Sequence, residues 1–189
     1  DTTHLRPPLR RAGYTTAIAG FQHVAPSATR ECIGYDEFLT EDEDFETITG
    51  AAEQFIGRSH DKPFFLSVGY VAPHRREEDF HTLFEPEDDR YLRPPNPLPD
   101  TAETRKDMAM YKASVRSTDA CMGRVLAALD RKGLADDTLV ICTTDHGIPF
   151  PGMKSTPTDH GIGVMQIMRA PREFCGANVV DALPPPPAP

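Results

Sequence analysis

The sequence is poor in cysteine, and its cysteines follow no recognisable pattern. Cys32, Cys121, Cys142 and Cys175 are widely spaced, and no Cys-x-x-Cys pair occurs. Closely spaced cysteine pairs are typical of zinc ribbons, and a high density of cysteine is typical of small disulfide-stapled domains. The sequence therefore indicates neither a zinc ribbon nor a disulfide scaffold.

Long apolar runs and an amino-terminal start signal are also missing. No apolar stretch approaches the ~20 residues that a membrane-spanning helix needs. The chain opens at Asp1, without an initiator Met or a signal peptide, in what reads as mid-domain sequence. We therefore expect a fragment without a membrane-spanning segment, and both its compartment and its oligomeric state stay open.

Positive charge is in deficit. Lys and Arg together number 20 against 29 Asp and Glu, which gives a formal net charge of −9 at pH 7. Proteins that bind nucleic acid or anionic membranes usually present a positive surface, so neither is expected as the main partner. A local cation or metal ion can still hold an anionic small molecule against this global field.

The sequence does contain short apolar runs that alternate with helical patterns. Strands are predicted at residues 14–19, 64–71 and 138–142, and the last two are predicted to be buried, parallel strands of one sheet. Apolar residues recur at helical spacing in residues 45–56 and again in residues 100–132. This alternation predicts an α/β fold with a largely parallel sheet.

Two segments are expected to lie outside the sheet. Residues 36–46 hold seven acidic residues and no Lys or Arg, which predicts a solvated loop. Residues 172–189 end in a proline run that cannot join a core, which predicts a truncated or disordered tail. The sequence therefore predicts one partial α/β domain over residues 1–171, followed by this tail.

Chemically useful side chains follow the ends of three predicted strands. His23 follows the first, His74 the second, and Asp145 and His146 the third. Because ligands bind beyond the carboxyl ends of parallel strands, we expect these side chains to converge at one sheet edge. Asp and His supply an oxygen and a nitrogen that can bind a metal ion. Lys154 adds a cation that could hold an anionic substrate, whereas His23 also fits a loop imidazole without a function.

Five stretches, in order, resemble the sulfatases of the alkaline phosphatase superfamily. They cover residues 9–171 and read LRRAGYTTAIAGFQH, KPFFLSVGYVAPH, YKASVRSTDACMGRVLAALDRKGL, DDTLVICTTDHG and KSTPTDHGIGVMQIMRAP. These five stretches most resemble the bacterial sulfatases and the heparan N-sulfatase branch. The resemblance implies a three-layer α/β/α fold with a largely parallel, mixed sheet, here incomplete.

The resemblance also implies roles for the candidate residues. A divalent cation, usually Ca²⁺, would be held by Asp145 and by His146, which stands where many relatives have Asn. Lys154 and His74 would hold the sulfate and help the ester oxygen leave, and His23 matches the His of a Gly-Lys-x-His motif that assists the nucleophile. The implied substrate is a sulfate ester or sulfamate of a small molecule or glycan. The implied compartment is secreted, periplasmic or lysosomal.

Two departures from the family pattern bear on activity. The family's nucleophile is a formylglycine made from Cys or Ser in a Cys/Ser-x-Pro/Ala-x-Arg signature, and none of the four cysteines sits in one. Phe21 replaces the Lys of Gly-Lys-x-His. We therefore expect the nucleophile and further Asp ligands to precede Asp1, and this chain to be inactive alone with weak or absent Ca²⁺ binding. Two alternatives stay open, a phosphonate or phosphate ester hydrolase of the same superfamily and a degenerate, non-catalytic sulfatase-like protein.

Overall fold

A three-stranded parallel sheet forms the centre of the fold. The structure, a computed structural model, describes residues 6–77, 79–171 and 174. Strand β1 (Thr15–Gly20) lies between β2 (Glu37–Thr40) and β3 (Phe64–Gly69), and both neighbours run parallel to it. Five of the six β1 residues are buried, which makes β1 the core strand. The predicted α/β class with a parallel sheet is confirmed.

Four α-helices accompany the strands in the described part of the chain. They are α1 (Arg6–Arg11), α2 (Phe45–Gly57), α3 (Ala102–Arg131) and α4 (Asp159–Ile162). Short 3₁₀ turns occupy Ser27–Cys32, Asp89–Tyr91 and Ala135–Asp137. Each long helix begins at a side-chain cap, because Asp44 accepts from the Thr47 amide and Thr101 accepts from the Thr104 amide. No helix in the described residues is long and apolar enough to cross a membrane.

Helices α2 and α3 pack on each other and on the sheet. Ile56 of α2 forms a buried cluster with Ala128 and Leu129 of α3, and Phe64 and Leu66 of β3 pack against that cluster. The two helices are also joined at the surface by Arg124, whose guanidinium donates to Glu46 at 2.6 Å and to Glu53 at 2.8 Å. The hydrogen bond from Arg124 lowers the pKa of Glu53. Such half-exposed pairs contribute little stability, so burial rather than charge holds the helices together.

The strand after α3 does not pair as the sequence predicts. Strand β6 (Val140–Thr143) pairs antiparallel with β7 (Gln166–Arg169), and no ladder joins it to β3 within the described residues. The prediction that residues 64–71 and 138–142 are parallel strands of one sheet is therefore wrong, because β3 and β6 belong to different sheets. Strand β6 is also only half covered, since Ile141 is 54% exposed. Val140 of β6 and Phe64 of β3 nevertheless pack against one cluster, the buried residues of α2 and α3 described above.

Two further sequence expectations fail in the same region. Residues 64–71 are predicted to be a buried strand, but β3 is an edge strand of the described sheet and is half-buried throughout. Residues 36–46 are not a solvated loop, because they contain β2 and the cap of α2. Asp36 accepts hydrogen bonds from the amide and hydroxyl of Thr16, each at 2.9 Å, and so ties β2 to β1.

A second cluster lies beyond the carboxyl ends of β1 and β3. Phe80, Met108, Phe150 and Met153 are buried together, and we call them the Phe80 cluster. Phe80 belongs to a short hairpin of β4 (Arg75–Arg76) and β5 (Asp79–Phe80), Met108 to α3, and the other two to the loop after β6. The cluster therefore joins three parts of the chain that are distant in sequence. The predicted tail at residues 172–189 lies outside the described residues except for Phe174.

Candidate active site

His74 and Lys154 are in direct contact although 80 residues separate them. The Lys154 Nζ atom lies 2.7 Å from His74 Nε2. The other ring nitrogen, Nδ1, lies 2.5 Å from the carbonyl oxygen of Arg75. A carbonyl only accepts, so Nδ1 carries the hydrogen and Nε2 presents its lone pair to the Lys154 ammonium. The geometry thus assigns His74 one neutral tautomer with Lys154 as the donor.

The turn that carries His74 is anchored at its start and by α3. The His74 amide donates to the Val71 carbonyl at 2.9 Å, and the Thr118 hydroxyl of α3 contacts the Ala72 carbonyl at 3.4 Å. The segment after β1 lies directly alongside the end of β3, because a Cβ on Gly69 would fall 1.9 Å from the Phe21 carbonyl oxygen. Glycine at this position allows the two strand exits to approach so closely.

Lys154 is held by the buried residues that precede it. Phe150 and Met153 are inserted into the Phe80 cluster, and Met153 has no exposed surface. The Lys154 amide donates to the Ile148 carbonyl at 3.2 Å, which closes the loop on itself. The Lys154 side chain is therefore half-buried on a fixed base rather than free at the end of a long loop.

Asp145 and His146 form a second pair, directly after β6. Asp145 Oδ2 lies 3.6 Å from His146 Nε2. His146 Nδ1 lies 2.7 Å from the Gly147 carbonyl, so Nδ1 carries the hydrogen and Nε2 has a lone pair. The Asp145 side chain is 85% exposed. The Asp145 carboxylate is thus open to solvent, and the His146 ring is partly exposed at 34%.

This second pair fits two ligands of one metal ion. Metal–ligand distances of about 2.0–2.6 Å place adjacent ligand atoms roughly 3–3.6 Å apart, which is the separation seen here. The described residues contain no group of three or more His, Cys, Asp or Glu side chains able to hold a metal. Asp145 and His146 therefore fit part of a metal site.

His23 lies in the segment that directly follows β1. Its side chain is exposed, and its ring lies 5.4 Å from that of Phe21. Within residues 6–77 and 79–171 it makes no hydrogen bond to another candidate residue. The structure brings His74 to Lys154 and Asp145 to His146, and leaves His23 at the exit of β1.

Sequence analysis missed the residues that surround the His74 turn. Arg75 fixes the His74 tautomer through its carbonyl, and its guanidinium lies 2.5 Å from Asp107 of α3. Local spacing carries no signal for these contacts, because α3 reaches the turn only after folding. A cavity of about 310 Å³ elsewhere contains no candidate residue, since it is lined by Thr15, Glu37, Arg58, Ser59, His60, Asp61 and Lys62.

Comparison of folds places the chain among alkaline phosphatase-like structures. A Bacteroides thetaiotaomicron structure described under the metabolism of multiple glycosaminoglycans superposes with a TM-score of 0.65 at 21% identity, covering 86% of this chain and 46% of that one. A phosphonate monoester hydrolase from Silicibacter pomeroyi superposes with a TM-score of 0.60 at 20% identity, covering 91% of this chain and 53% of that one. The fold is therefore an incomplete alkaline phosphatase-like α/β fold.

Sequence comparison gives the family. Human N-sulphoglucosamine sulphohydrolase is 30% identical over 172 residues, which cover 76% of this chain and 34% of the relative. The chain thus spans about a third of the length of this curated relative. The profile of the sulfatase family matches residues 7–175. The chain therefore belongs to the sulfatase family.

Proposed function

We propose that this chain is part of an enzyme that hydrolyses a sulfate ester or a sulfamate, with His74 and Lys154 as its anion-handling pair. The observation that carries the proposal is the 2.7 Å contact between Lys154 Nζ and His74 Nε2 beyond the end of β3. A departing ester oxygen gains negative charge as its bond to sulfur breaks. An ammonium placed beside that oxygen stabilises the charge as it develops.

The hydrogen positions at this contact decide which group holds a transferable proton. His74 Nε2 accepts here, so Lys154 carries the proton that lies between the two side chains. His74 becomes a general acid only when Nε2 is also protonated and both ring nitrogens donate. We assign Lys154 the role of holding the sulfate oxygens, and His74 the role of giving a proton to the leaving oxygen.

We further assign Asp145 and His146 to a divalent cation, Ca²⁺ in most sulfatases that this sequence resembles. When bound, the cation neutralises charge on the sulfate oxygens. His23 is assigned to the nucleophile, which in this family is a formylglycine. No cysteine of this sequence has the formylglycine signature, so turnover by the chain alone is not part of the proposal.

Calcium is expected to bind weakly to the isolated chain. Two protein ligands fall short of the six or more oxygens that Ca²⁺ prefers, so we expect a Kd of about millimolar or weaker. Calorimetry with CaCl₂ measures this directly. Micromolar binding that Asp145→Ala abolishes would show that further ligands exist in this sequence.

Sulfate binding tests the role of Lys154. The purified chain is titrated with sodium sulfate at constant ionic strength, and the Kd is read from the ring resonances of His74. Loss of a charged hydrogen-bond donor costs about 1.5 kcal/mol or more, so Lys154→Met should weaken binding at least about tenfold. Lys132→Met is the matched control, because Lys132 is an exposed lysine at the C-terminal end of α3.

Two outcomes would contradict the proposal. One is sulfate binding that Lys154→Met leaves unchanged, and the other is an equal loss on Lys132→Met. Turnover of an aryl sulfate by the purified chain above background would contradict a different expectation, that the chain is inactive alone because it lacks the formylglycine signature.

Hydrolysis of a phosphonate or phosphate ester is the second candidate function. It is favoured by the similarity to the phosphonate monoester hydrolase over 91% of this chain. An ammonium and an imidazole bind either tetrahedral oxyanion, so the described pair does not discriminate between them. Competition between methyl sulfate and methylphosphonate measures whether the residues around the pair discriminate, and tighter binding of one anion would favour the corresponding candidate. Equal affinity of wild type and Lys154→Met for both anions would favour the third alternative, a non-catalytic protein.

A further inference from the structure

We propose that Asp107 of α3 is a positioning residue for the His74–Lys154 pair and acts through Arg75. The inference deepens the proposed function, on which it relies for what the pair does. The contacts themselves do not depend on that function. They connect the carboxylate of Asp107 to the Arg75 guanidinium, and the Arg75 carbonyl to His74 Nδ1.

The first step is the dependence of His74 on one carbonyl oxygen. An exposed imidazole in water exchanges between two neutral tautomers. Here the 2.5 Å contact to the Arg75 carbonyl retains hydrogen on Nδ1 and leaves the Nε2 lone pair for Lys154. If that carbonyl rotates away, one of the two contacts that favour hydrogen on Nδ1 is lost, and only the Lys154 ammonium beside Nε2 still favours it. The orientation of the Arg75 peptide therefore contributes directly to the tautomer of His74.

The second step is what holds Arg75. Its backbone pairs with Phe80 in the β4–β5 hairpin. Its guanidinium lies 2.5 Å from an oxygen of Asp107 and 4.7 Å from the centre of the Phe80 ring. A hairpin of two-residue strands is too short to be rigid by itself. The contact to a carboxylate on the long helix α3 anchors the hairpin to a rigid element.

The third step is that the loop carrying Lys154 packs on the same part of α3. Asp107 directly precedes Met108, which belongs to the Phe80 cluster with Phe150 and Met153. Phe80 packs edge-on against Tyr111 of α3, with ring centroids 5.7 Å apart. Both members of the His74–Lys154 pair are thus held against the same turns of α3. His74 is connected to α3 through Arg75 and Asp107, and Lys154 through the packing of Met153 on Met108.

The Arg75–Asp107 ion pair contributes little to the free energy of unfolding, which favours a role in positioning the His74 turn. Arg75 and Asp107 side chains are 30% and 43% exposed, a class of pair that contributes little to folding. The same helix offers a matched comparison in the Arg105–Asp100 pair, whose side chains are 31% and 43% exposed. That pair lies at the start of α3 and does not contact the His74 turn. A general effect of removing an ion pair from α3 should therefore appear in both.

The experiment reads the tautomer of His74 directly. Long-range ¹H–¹⁵N spectra of the ¹⁵N-labelled chain are recorded at alkaline pH, where the imidazole is neutral. The wild type should show hydrogen predominantly on Nδ1. Asp107→Asn should shift His74 towards a mixture of tautomers, Asp107→Glu should restore the wild-type pattern, and Asp100→Asn should leave it unchanged. Arg75→Lys keeps the positive charge but loses the planar guanidinium, so it should shift His74 part of the way towards the mixture of tautomers.

Sulfate affinity supplies the second readout and separates this inference from the proposed function. Asp107→Asn should weaken sulfate binding about twofold to fivefold, the range expected for one partly exposed ion pair. A tautomer shift in a chain whose wild type binds no sulfate would refute the proposed function and leave the positioning intact. An unchanged tautomer in folded Asp107→Asn and Arg75→Lys would overturn the inference, as would an equal shift in Asp100→Asn.

Discussion

Replacing Gly147 with alanine is expected to displace the Asp145–His146 pair and to lower the free energy of unfolding by about 3 kcal/mol. A Cβ at this position would lie 1.7 Å from the carbonyl oxygen of His160 and 2.7 Å from its carbonyl carbon. The Gly147 amide also donates to the Gly161 carbonyl at 2.9 Å, so the two backbone segments are bonded where they touch. Relief of the overlap requires a backbone shift of about an ångström or more, because both colliding atoms belong to the main chain.

Urea denaturation measures the loss of stability, and the ring resonances of His146 report the displacement. Gly123→Ala is the control, since that glycine lies inside α3 with open space around its Cβ position. It should stabilise the chain by about 0.5–1 kcal/mol, because alanine favours the helix over glycine. A Gly147→Ala chain as stable as wild type, with unshifted His146 resonances, would show that the loop accommodates the methyl group.

The sequence predicted which segments are strands better than it predicted their partners. Residues 64–71 and 138–142 are both apolar, and both contain strands. Apolar content reports burial, however, and burial against α2 and α3 is satisfied for Val140 without any ladder to β3. The partner of β6 is β7, whose residues Gln166–Arg169 are all exposed, so burial does not report this pairing. Strand pairing is a non-local property, and local periodicity does not contain it.

The acidic segment shows how composition misleads when one residue has a specific partner. Seven acidic residues in residues 36–46 indicate solvent, and most of them are indeed at the surface. Asp36 nevertheless accepts from Thr16 on β1, and Asp44 caps α2, where the bond from the Thr47 amide lowers its pKa. Both roles depend on specific hydrogen bonds from a threonine amide and hydroxyl, which a count of charges does not register.

For the candidate site, the sequence indicated which residues could act but not the contacts that hold them in place. His74 and Lys154 follow predicted structural elements, and the family resemblance made them a pair before any geometry was known. Arg75 and Asp107 have no such signal, because an Arg or an Asp in a charged sequence is usually solvated. Their importance appears only when α3 and the β4–β5 hairpin are seen together.

Met153→Ala is expected to destabilise the chain strongly through the cluster beside Lys154. Met153 has no exposed surface and fills the Phe80 cluster directly beside Lys154. Truncation of a buried methionine leaves a cavity and typically costs about 2–5 kcal/mol, depending on how far the surroundings collapse. Differential scanning calorimetry measures the loss. Met153→Leu conserves volume and should cost less than about 1.5 kcal/mol, whereas Met168→Ala, at a residue 53% exposed, should stay within about 0.5 kcal/mol of wild type.

The same variants test whether the Phe80 cluster carries the site or only the fold. Lys154 follows Met153 directly, and its contact to His74 joins two chain segments that the cluster also joins. Measured well below the unfolding transition, sulfate affinity should therefore fall in Met153→Ala and be retained in Met153→Leu and Met168→Ala. A Met153→Ala chain that loses stability yet binds sulfate as wild type does would separate the cluster from the site. In that case Lys154 would reach its position through the loop from Ile148 alone, whose carbonyl accepts from the Lys154 amide at 3.2 Å.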